Sequence, residues 1–169
     1  IELEIPFTTI PFDIGKSSIA FFIAEILYKS IQEEEANIPL FEYLHKTIQV
    51  LDLSDNGYSN FHIIFLTKLC KHLGFYPQVT NQPKTTSFYF DLQEGCFTNL
   101  IPYHKAFVEP TISTLLHQTL NTNFDEMETL IISNKQRKIL LSTILNYYSL
   151  HLSNFESLKT LEILEEVLN

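Results

Sequence analysis

One set of basic side chains at helical spacing is the feature of this sequence best suited to bind a ligand. Lys68, Lys71 and His72 fall at i, i+3 and i+4, so on a helix their cationic heads emerge on the same side. Ile64 and Phe75 flank this stretch and offer apolar surface beside it. A basic rim around an apolar groove suits an acidic peptide that ends in a hydrophobic residue with a free carboxylate.

A second group of cations lies nearer the C-terminus. Lys135, Arg137 and Lys138 fall in the first turn of the penultimate predicted helix, and Lys159 falls in the last one. Cations at a helix start are unfavourable by about 0.3–1 kcal/mol, which favours a specific role for them. The simpler interpretation, for either group, is that these are ordinary solvated residues, because long charged side chains are mostly exposed.

The residues give little support to catalytic or metal chemistry. The sequence has no GxSxG, HExxH, Walker-type or dinucleotide-binding pattern, and only 4 glycines with which to build a phosphate-binding loop. Cys70 lies in an apolar stretch as a small core residue, and no basic residue adjoins Cys96 to activate it. Six histidines are scattered without paired metal-ligand spacing: His45, His62, His72, His104, His117 and His151. We therefore expect no enzyme activity, no metal and no cofactor.

Length, composition and charge limit which folds and which partners are possible for this chain. The chain has 169 residues, 45% of them hydrophobic, and a formal net charge of −9. A domain of this size buries enough surface to fold without disulfides or metals. Its acidity disfavours a main role in binding nucleic-acid phosphates, which requires clustered lysine and arginine. Two cysteines without framework spacing suit a reducing cytoplasm, and no apolar run of about 18 residues is present to span a membrane.

The stretch from Asn56 to Pro77 is predicted to be the helix on which the other elements pack. Apolar residues occur on nearly all of its sides, which is typical of a helix surrounded by other elements. Asn56 or Ser59 is expected to cap its start. Gly74, which takes the left-handed conformation at little cost, and Pro77 are expected to end it.

Apolar periodicity and cap residues predict six further helices. Asp13 and Asn37 are expected to cap the first two, Pro110 to open another, and Ser153 with Glu156 to form a capping box before the last. The apolar residues that define these six helices are Ile19, Phe22, Ile23, Ile26, Leu27 and Ile31; Leu40, Phe41, Leu44, Ile48 and Leu51; Ile112, Leu115 and Leu116; Phe124, Met127 and Ile131; Leu140, Leu141, Ile144, Leu145 and Tyr148; and Leu158, Leu161, Leu164 and Leu168.

Between and before these helices the periodicity changes. Residues 1–12 are predicted to be an extended lead-in outside the core, and residues 80–85 a loop. Alternation over residues 88–92 predicts a short strand, which Glu94 and Gly95 turn back through residues 96–97 as a small hairpin. The predicted fold is therefore all-α: about seven helices packed around a buried central helix, with a β-hairpin insertion. Residues 13–169 are expected to form one domain.

Several strings in this sequence, in order, resemble the C-terminal domain of the RecO family of bacterial DNA-repair proteins. The resemblance is to Bacteroidetes-type members in particular. The strings are SIAFFIAEILYKSIQEEEANIPLFEYLHKTIQVLD from Ser18, NFHIIFLTKLCKHLGFYP from Asn60, FDLQEGCF from Phe90 and LHLSNFESLKTLEIL from Leu150. None of these strings is a catalytic signature. The similarity lies in their combination and order, and it extends over essentially the whole chain.

The resemblance implies a recombination mediator. Members carry an N-terminal OB-fold that binds DNA, absent here, and a helical domain for protein interaction and accessory DNA contact. The helical domain is associated with capture of the acidic, Phe-terminated tail of the single-stranded-DNA-binding protein, and RecR is a second implied partner. A cytoplasmic, nucleoid-associated bacterial protein without membrane contact is expected. The cations that we expect to hold the tail are Lys68, Lys71, Lys135, Arg137, Lys138 and Lys159. The alternative is a purely structural helical domain that positions the OB-fold.

The sequence departs from the family pattern in three places. Some relatives bind zinc through four cysteines in the irregular middle, whereas only Cys96 stands there, so no zinc site is expected. Some relatives carry arginines immediately before the position of Phe61, where this chain has Ser59 and Asn60. Near the C-terminus, an LKSR-like string becomes LKTL and retains only Lys159. Among the candidate cations, Lys159 alone therefore has support from motif position.

Overall fold

A computed structural model of the chain describes residues 6–31, 36–78, 87–155 and 157–168. Among these residues the α-helices are α1 (Ile14–Ser30), α2 (Ile38–Leu53), α3 (Phe61–His72), α4 (Pro110–Asn121), α5 (Asn134–His151) and α6 (Leu161–Val167), and the 3₁₀ helices are Tyr58–Asn60 and Phe124–Thr129. The predicted all-α class is confirmed. The predictions made for residues 1–5, for the loop at 80–85 and for Glu156 lie outside the described residues.

The central position of α3 is confirmed. Nine of its twelve residues are buried, and it packs against α1, α2, α4 and α5. Its start differs from the prediction, since residues 58–60 form a 3₁₀ turn, and neither Asn56 nor Ser59 caps the helix. At the other end Gly74 has a φ of +87°, the left-handed conformation expected of it. Because each buried leucine or isoleucine stabilises by about 1.5–3 kcal/mol, α3 is a main source of the core's stability.

Local capping explains where three helices begin. Asp13 and Asn37 each accept a hydrogen bond from the backbone amide three residues later, at 3.0 and 3.1 Å, as predicted. At the start of α5, the Ser133 hydroxyl accepts from the Gln136 amide at 3.3 Å. The Gln136 side chain accepts from the Ser133 amide at 3.1 Å. This capping box is typical of a helix start. It fixes the beginning of α5 at Asn134, so the cations that follow lie in the first turn of the helix.

The last helix begins later than predicted. It starts at Leu161, and not directly after a capping box at Ser153. Glu25 of α1 binds the turn that precedes it: Oε1 accepts from the Lys159 amide at 2.9 Å and Oε2 from the Thr160 amide at 2.8 Å. A carboxylate near a helix N-terminus also complements the macrodipole. Lys159 therefore lies in the bend before α6 and not on the helix where it was predicted.

A small antiparallel sheet interrupts the helices. Its strands are β1 (Tyr89–Asp91), β2 (Cys96–Thr98) and β3 (Phe107–Val108), in the order β2-β1-β3. The predicted hairpin is confirmed as β1 and β2, with Gly95 at φ +64° in the turn, and β3 is an additional strand. Phe90 is fully buried between Phe97, at a ring-centroid distance of 4.8 Å, and Tyr147 of α5, at 5.5 Å. The sheet therefore packs on the helical core.

The segment before α1 is bound to the domain more closely than predicted. Asp52, at the end of α2, accepts hydrogen bonds from the backbone amides of Thr8, Thr9 and Ile10 at 2.8, 2.9 and 2.9 Å. The buried Lys16 donates to the Thr9 hydroxyl at 2.6 Å and to the Asp52 carbonyl at 3.0 Å. Ile10 lies in the core. The expectation that this segment stays outside the core is therefore wrong at Ile10.

Candidate functional site

An apolar groove with basic residues at its edge lies between α2, α3 and the 3₁₀ helix Phe124–Thr129. Its volume is about 630 Å³, within the range of about 300–1,000 Å³ common for ligand sites. It brings Lys68, Lys71 and His72 together, as their spacing predicts. The lining residues are Tyr43, Lys46, Thr47, Val50, Lys68, Lys71, His72, Tyr76, Asn123, Phe124 and Asp125. We refer to this feature as the α2–α3 groove.

Aromatic side chains form the floor of the α2–α3 groove. The Tyr43 ring stacks on His72 at a centroid distance of 4.6 Å and on Phe65 at 5.4 Å. Its hydroxyl donates to the Phe65 carbonyl at 2.8 Å, and burial raises the Tyr43 pKa far above its ordinary value. From the other side, Phe61 supports Phe124 at 4.9 Å. The floor is therefore a fixed, neutral surface against which an apolar side chain can pack.

Three lysines supply positive charge around this floor. Lys46 and Lys71 are exposed and have no hydrogen bond or ion pair within the described part of the chain. Lys68 is partly buried, and its ammonium donates to the Leu120 carbonyl at the end of α4 at 2.7 Å. Burial, and then the charge of Lys71, lower the Lys68 pKa. Asp125 is the acidic residue among the lining side chains, so the rim stays net positive.

His72 makes the rim sensitive to pH. Burial lowers its pKa below the ordinary value of 6.5, and the neighbouring Lys71 lowers it further. At pH 7 the ring is therefore mostly neutral, and it becomes a fourth cation only under acidic conditions.

The apolar part of the groove differs from the sequence prediction. Ile64 is fully buried in the core. Phe75 packs edge-on against Tyr147 and Tyr148, at 5.7 and 5.1 Å between ring centroids. Neither residue lines the groove, so their predicted contribution is wrong. A helix that is apolar on nearly all sides does not reveal which of its faces stays open.

Sequence reasoning missed the contribution of α2 to this site. Tyr43, Lys46 and Val50 all line the groove, and their spacing of i, i+3 and i+7 places them on one helix face. The signal was therefore present in the sequence. It was hidden because one lysine in the middle of a helix looks like ordinary solvated charge.

Arg137 has a different environment. Its Nε donates to the Asn60 side chain at 3.0 Å, and its Nη1 donates to the Asn134 side chain at 2.8 Å. Its Nη2 contacts the Ser59 hydroxyl and the Ile132 carbonyl, both at 3.4 Å. Burial lowers the Arg137 pKa from a value so high that the group stays charged. The guanidinium thus joins α5 to the turn before α3, and each of its three nitrogens has a contact within the chain.

The other candidate cations do not join the groove. Lys138 lies 3.8 Å from the Glu165 carboxylate of α6, beside a crevice of only about 20 Å³ that Arg137 also lines. Lys135 and Lys159 have exposed side chains. The six candidates therefore divide between the α2–α3 groove, the start of α5 and the bend before α6.

Metal-ligating side chains do not cluster in the described residues. No group of three or more His, Cys, Asp or Glu residues among them is arranged to hold a metal ion. Burial raises the pKa of the Cys70 thiol to about 12 and lowers the pKa of His62 to about 3, so both are neutral at pH 7. The Cys96 pKa is also raised, by burial and then by Asp91 and Glu94. These are properties of core and structural groups.

The family of this chain is shown by its sequence. Residues 11–162 match the family model described as Recombination protein O C terminal. The match covers most of the chain, and the chain belongs to this family. Among the described residues, no helix has the length and apolar character needed to cross a membrane.

Curated relatives agree with this assignment. DNA repair protein RecO of Phocaeicola vulgatus is 38% identical over 162 residues, which are 96% of this chain and 66% of that protein. DNA repair protein RecO of Flavobacterium johnsoniae is 41% identical over 167 residues, 99% of this chain and 68% of that protein. This chain therefore spans about two thirds of the length of such relatives. No solved structure matches the chain.

Proposed function

We propose that this chain is a protein-interaction domain of a DNA-repair and recombination mediator. In this proposal the α2–α3 groove binds the acidic, Phe-terminated tail of a single-stranded-DNA-binding protein. The observation that carries the proposal is an apolar groove of about 630 Å³ with three lysines among its lining residues, in a chain with a net charge of −9. The repair context is supported by the relatives, which are DNA repair proteins.

The remaining parts of the proposal concern partners and setting. The domain is a binding module and not a catalyst, and it works in the bacterial cytoplasm at the nucleoid. RecR is its second protein partner. DNA is bound mainly by an OB-fold that precedes this domain in the full-length protein. The acidic charge supports that division, because a −9 domain is repelled by phosphate backbones.

The floor of the groove suits the terminal phenylalanine of such a tail. Tyr43, Tyr76 and Phe124 present ring surfaces, and Val50 adds an aliphatic wall. Burying a phenylalanine side chain among them contributes about 1.5–3 kcal/mol. The Tyr43 hydroxyl is already bound to the Phe65 carbonyl, so the floor requires no polar partner from the ligand.

The rim suits the carboxylates. Lys46 and Lys71 are exposed and have no partner within the described part of the chain, so each can donate to the terminal carboxylate or to an aspartate before it. Hydrogen bonds between two ionised groups are roughly twice as strong as neutral ones. Because these ammonium groups remain near solvent, their contribution weakens with added salt.

The direct test is a fluorescence anisotropy titration of a labelled acidic peptide ending in phenylalanine, at two salt concentrations. We expect a Kd of about 1 μM, equivalent to about −8 kcal/mol, and weaker binding at the higher salt. A peptide without the terminal phenylalanine, and one with an amidated C-terminus, serve as controls and should bind much more weakly. Equal binding of all three peptides would contradict recognition by the groove.

The second candidate is a structural domain without its own ligand site. The environment of Arg137 favours it, because a cation predicted to bind a partner instead joins two parts of the fold. Ser59 and Asn60, which replace arginines of some relatives, belong to the same network. Absence of peptide binding by the wild-type chain would favour this candidate.

A further inference from the structure

A second cleft lies between the end of α4 and the segment that joins the 3₁₀ helix Phe124–Thr129 to α5. Its volume is about 540 Å³, within the range common for ligand sites. Gln118 and Asn121 line it on the α4 side, and Leu130 and Ile131 line it on the other. None of these four residues belongs to the α2–α3 groove. We refer to this feature as the α4 cleft.

The backbone of Ile131 is open for hydrogen bonding. Its side chain is 91% exposed, whereas those of Leu130 and Ile132 are buried, an alternation typical of an extended segment that is covered on one face. The Leu130 carbonyl accepts from the Asn60 side chain at 2.6 Å, and the Ile132 carbonyl lies 3.4 Å from Nη2 of Arg137. The Ile131 amide and carbonyl, by contrast, have no hydrogen-bond partner within the described part of the chain. An edge strand offers such free backbone groups to an added strand.

The α4 side of the cleft offers two carboxamides. Gln118 is exposed and makes no hydrogen bond within the described part of the chain. The Asn121 Nδ2 donates to the His117 carbonyl at 2.8 Å, which fixes this amide and leaves its oxygen as an acceptor. The hydroxyls of Thr122 and Thr129 each donate to a carbonyl of their own chain. Because a carboxamide carries a donor and an acceptor side by side, as a peptide group does, these two side chains suit the backbone of an extended peptide.

Charge separates the α4 cleft from the α2–α3 groove. The groove has lysines at its rim, whereas no lysine, arginine, aspartate or glutamate occurs among the described residues that line the cleft. The whole chain has a net charge of −9, so an anionic ligand would be repelled without a local cation to hold it. A cationic ligand would find no carboxylate among the lining residues. The cleft therefore suits an uncharged ligand with an apolar side chain to pack on Ile131.

We propose that the α4 cleft binds an extended, uncharged segment of a partner protein, which pairs with Ile131 as an added β-strand. In an antiparallel pair, the residue opposite Ile131 exchanges two hydrogen bonds with it, one through the amide and one through the carbonyl. Gln118 and Asn121 bind backbone groups on the other edge of the same segment. Backbone pairing supplies affinity in this mode of recognition, and the apolar contact with Ile131 supplies selectivity. The proposal does not depend on the α2–α3 groove, since the two sites share no lining residue.

Amide chemical shifts of the isotopically labelled chain test this proposal during titration with a capped pentapeptide, Ac-Ser-Val-Thr-Val-Ser-NH₂. We expect saturable changes centred on Ile131 and residues 117–122, with a Kd below about 1 mM. The Ile131 amide proton should shift downfield as it gains an acceptor. The control peptide carries N-methyl groups on its three central residues, which removes the central donors of both edges, and it should cause much smaller changes. Equal changes with both peptides, or none at Ile131, would overturn the proposal.

Two further titrations test the identity of the occupant. The acidic, Phe-terminated peptide should leave the Ile131 amide unshifted when the α2–α3 groove is saturated, and a shift as large as that caused by the uncharged peptide would overturn the proposal. A second copy of this chain is a less favourable occupant, because a net charge of −9 on each copy opposes self-association. Changes at Ile131 on raising the concentration of the chain without peptide would assign the segment to a second copy and overturn the proposal.

A substitution on the α4 side tests the second wall of the cleft. Gln118→Ala should weaken the pentapeptide several-fold, because the bound segment loses its hydrogen bonds to this carboxamide. Gln93→Ala, at an exposed glutamine in the turn between β1 and β2, is the matched control and should keep the affinity. Circular dichroism should show that both variants retain the helices. Unchanged affinity in Gln118→Ala would overturn the proposed arrangement.

Discussion

The two basic clusters of this domain look alike in sequence and differ in structure. On the α2–α3 groove, Lys46 and Lys71 are exposed beside an apolar floor. At the start of α5, Arg137 directs its donors to Asn60, Asn134 and neighbouring groups of its own chain. In the sequence, Lys68 and Lys71 on α3 and Lys135 and Lys138 on α5 fall at the same helical spacing, which would suit a ligand. The difference shows that the partners available across the fold, more than the spacing, decide whether a cation is free to bind.

The chemistry of arginine and lysine side chains agrees with this difference between the two clusters. A guanidinium has five donors in a rigid fork, so Arg137 can join the turn before α3 to the start of α5 at once. Lys46 and Lys71 carry single ammonium groups on long stems, which remain solvated while the stems pack on apolar surface. We therefore propose a stabilising role for Arg137 and a binding role for the lysines of the groove. The predictions below separate these roles.

The largest expected effect is on stability. Arg137→Ala should lower the free energy of unfolding by about 2–3 kcal/mol, because it leaves the side-chain oxygen of the buried Asn60 without its charged donor. Urea unfolding followed by circular dichroism measures this change. Arg137→Lys is the matched control and should recover only part of the loss, since one ammonium cannot reproduce the fork. Unchanged stability together with lost peptide binding would reverse the two assignments.

The next effect is on binding. Replacing Lys46 and Lys71 with glutamate should weaken the acidic peptide about 10- to 100-fold, or about 1.4–2.7 kcal/mol. The free energy of unfolding should change by less than about 0.5 kcal/mol, because both side chains are exposed. Charge reversal of Lys135 and Lys138 is the matched control and should leave the affinity unchanged. Equal losses from both pairs would mean that the peptide responds only to total charge.

We expect Lys68 to contribute both to the stability of the domain and to peptide binding. Lys68→Met should destabilise the domain by about 1 kcal/mol, because the Leu120 carbonyl loses its donor. It should also weaken the peptide several-fold, since one of three rim cations is removed. Parallel unfolding and anisotropy measurements separate the two effects. A variant with full affinity and reduced stability would place Lys68 with Arg137 as a purely structural residue.

Because His72 lines the α2–α3 groove, we expect the peptide affinity of the groove to depend on pH. Its pKa is lowered by burial and then by Lys71, so the ring gains charge only as the pH falls below about 6.5. Peptide carboxylates remain ionised there, and affinity should rise several-fold between pH 7.5 and 5.5. His72→Gln should abolish the rise. The folded state disfavours protonation of this ring, so the contribution of His72 to stability should decrease over the same fall in pH.

The smallest effects are expected at the exposed cations of α5. Lys135→Ala and Lys138→Ala should each change the free energy of unfolding by less than about 0.5 kcal/mol, because solvated ion pairs such as Lys138 with Glu165 contribute little. Neither substitution should alter the peptide affinity. A loss of binding in either variant would extend the ligand site to the start of α5.

The parts of the fold that local sequence determines were predictable. Asp13 and Asn37 cap their helices through amides three residues away, and the apolar surround of α3 indicated its central position. Contacts between distant residues were not predictable. Glu25 binds the amide of Lys159 at a separation of 134 residues, which moves the start of α6 beyond the predicted site. Asp52 likewise draws Ile10 into the core from 42 residues away.

The candidate site shows the same limit. Helical spacing correctly placed Lys68, Lys71 and His72 together, because all three lie on α3. It gave no means of choosing among the faces of that helix, so Ile64 and Phe75 were assigned to the wrong surface. The floor depends on packing between elements, such as Phe61 against Phe124, and α2 contributes four of the eleven residues that line the groove. Those relations exist only in the folded molecule.

The most direct test of this account is to map the peptide site by NMR, following the backbone amides of the isotopically labelled chain while the acidic, Phe-terminated peptide is added. The largest chemical-shift changes should occur in residues 43–50, 68–76 and 123–125, with saturation at the Kd found by anisotropy. Residues 132–141 should be unaffected, since Arg137 and its neighbours serve the fold. Changes centred on residues 132–141, with the α2–α3 groove unperturbed, would contradict the assignment.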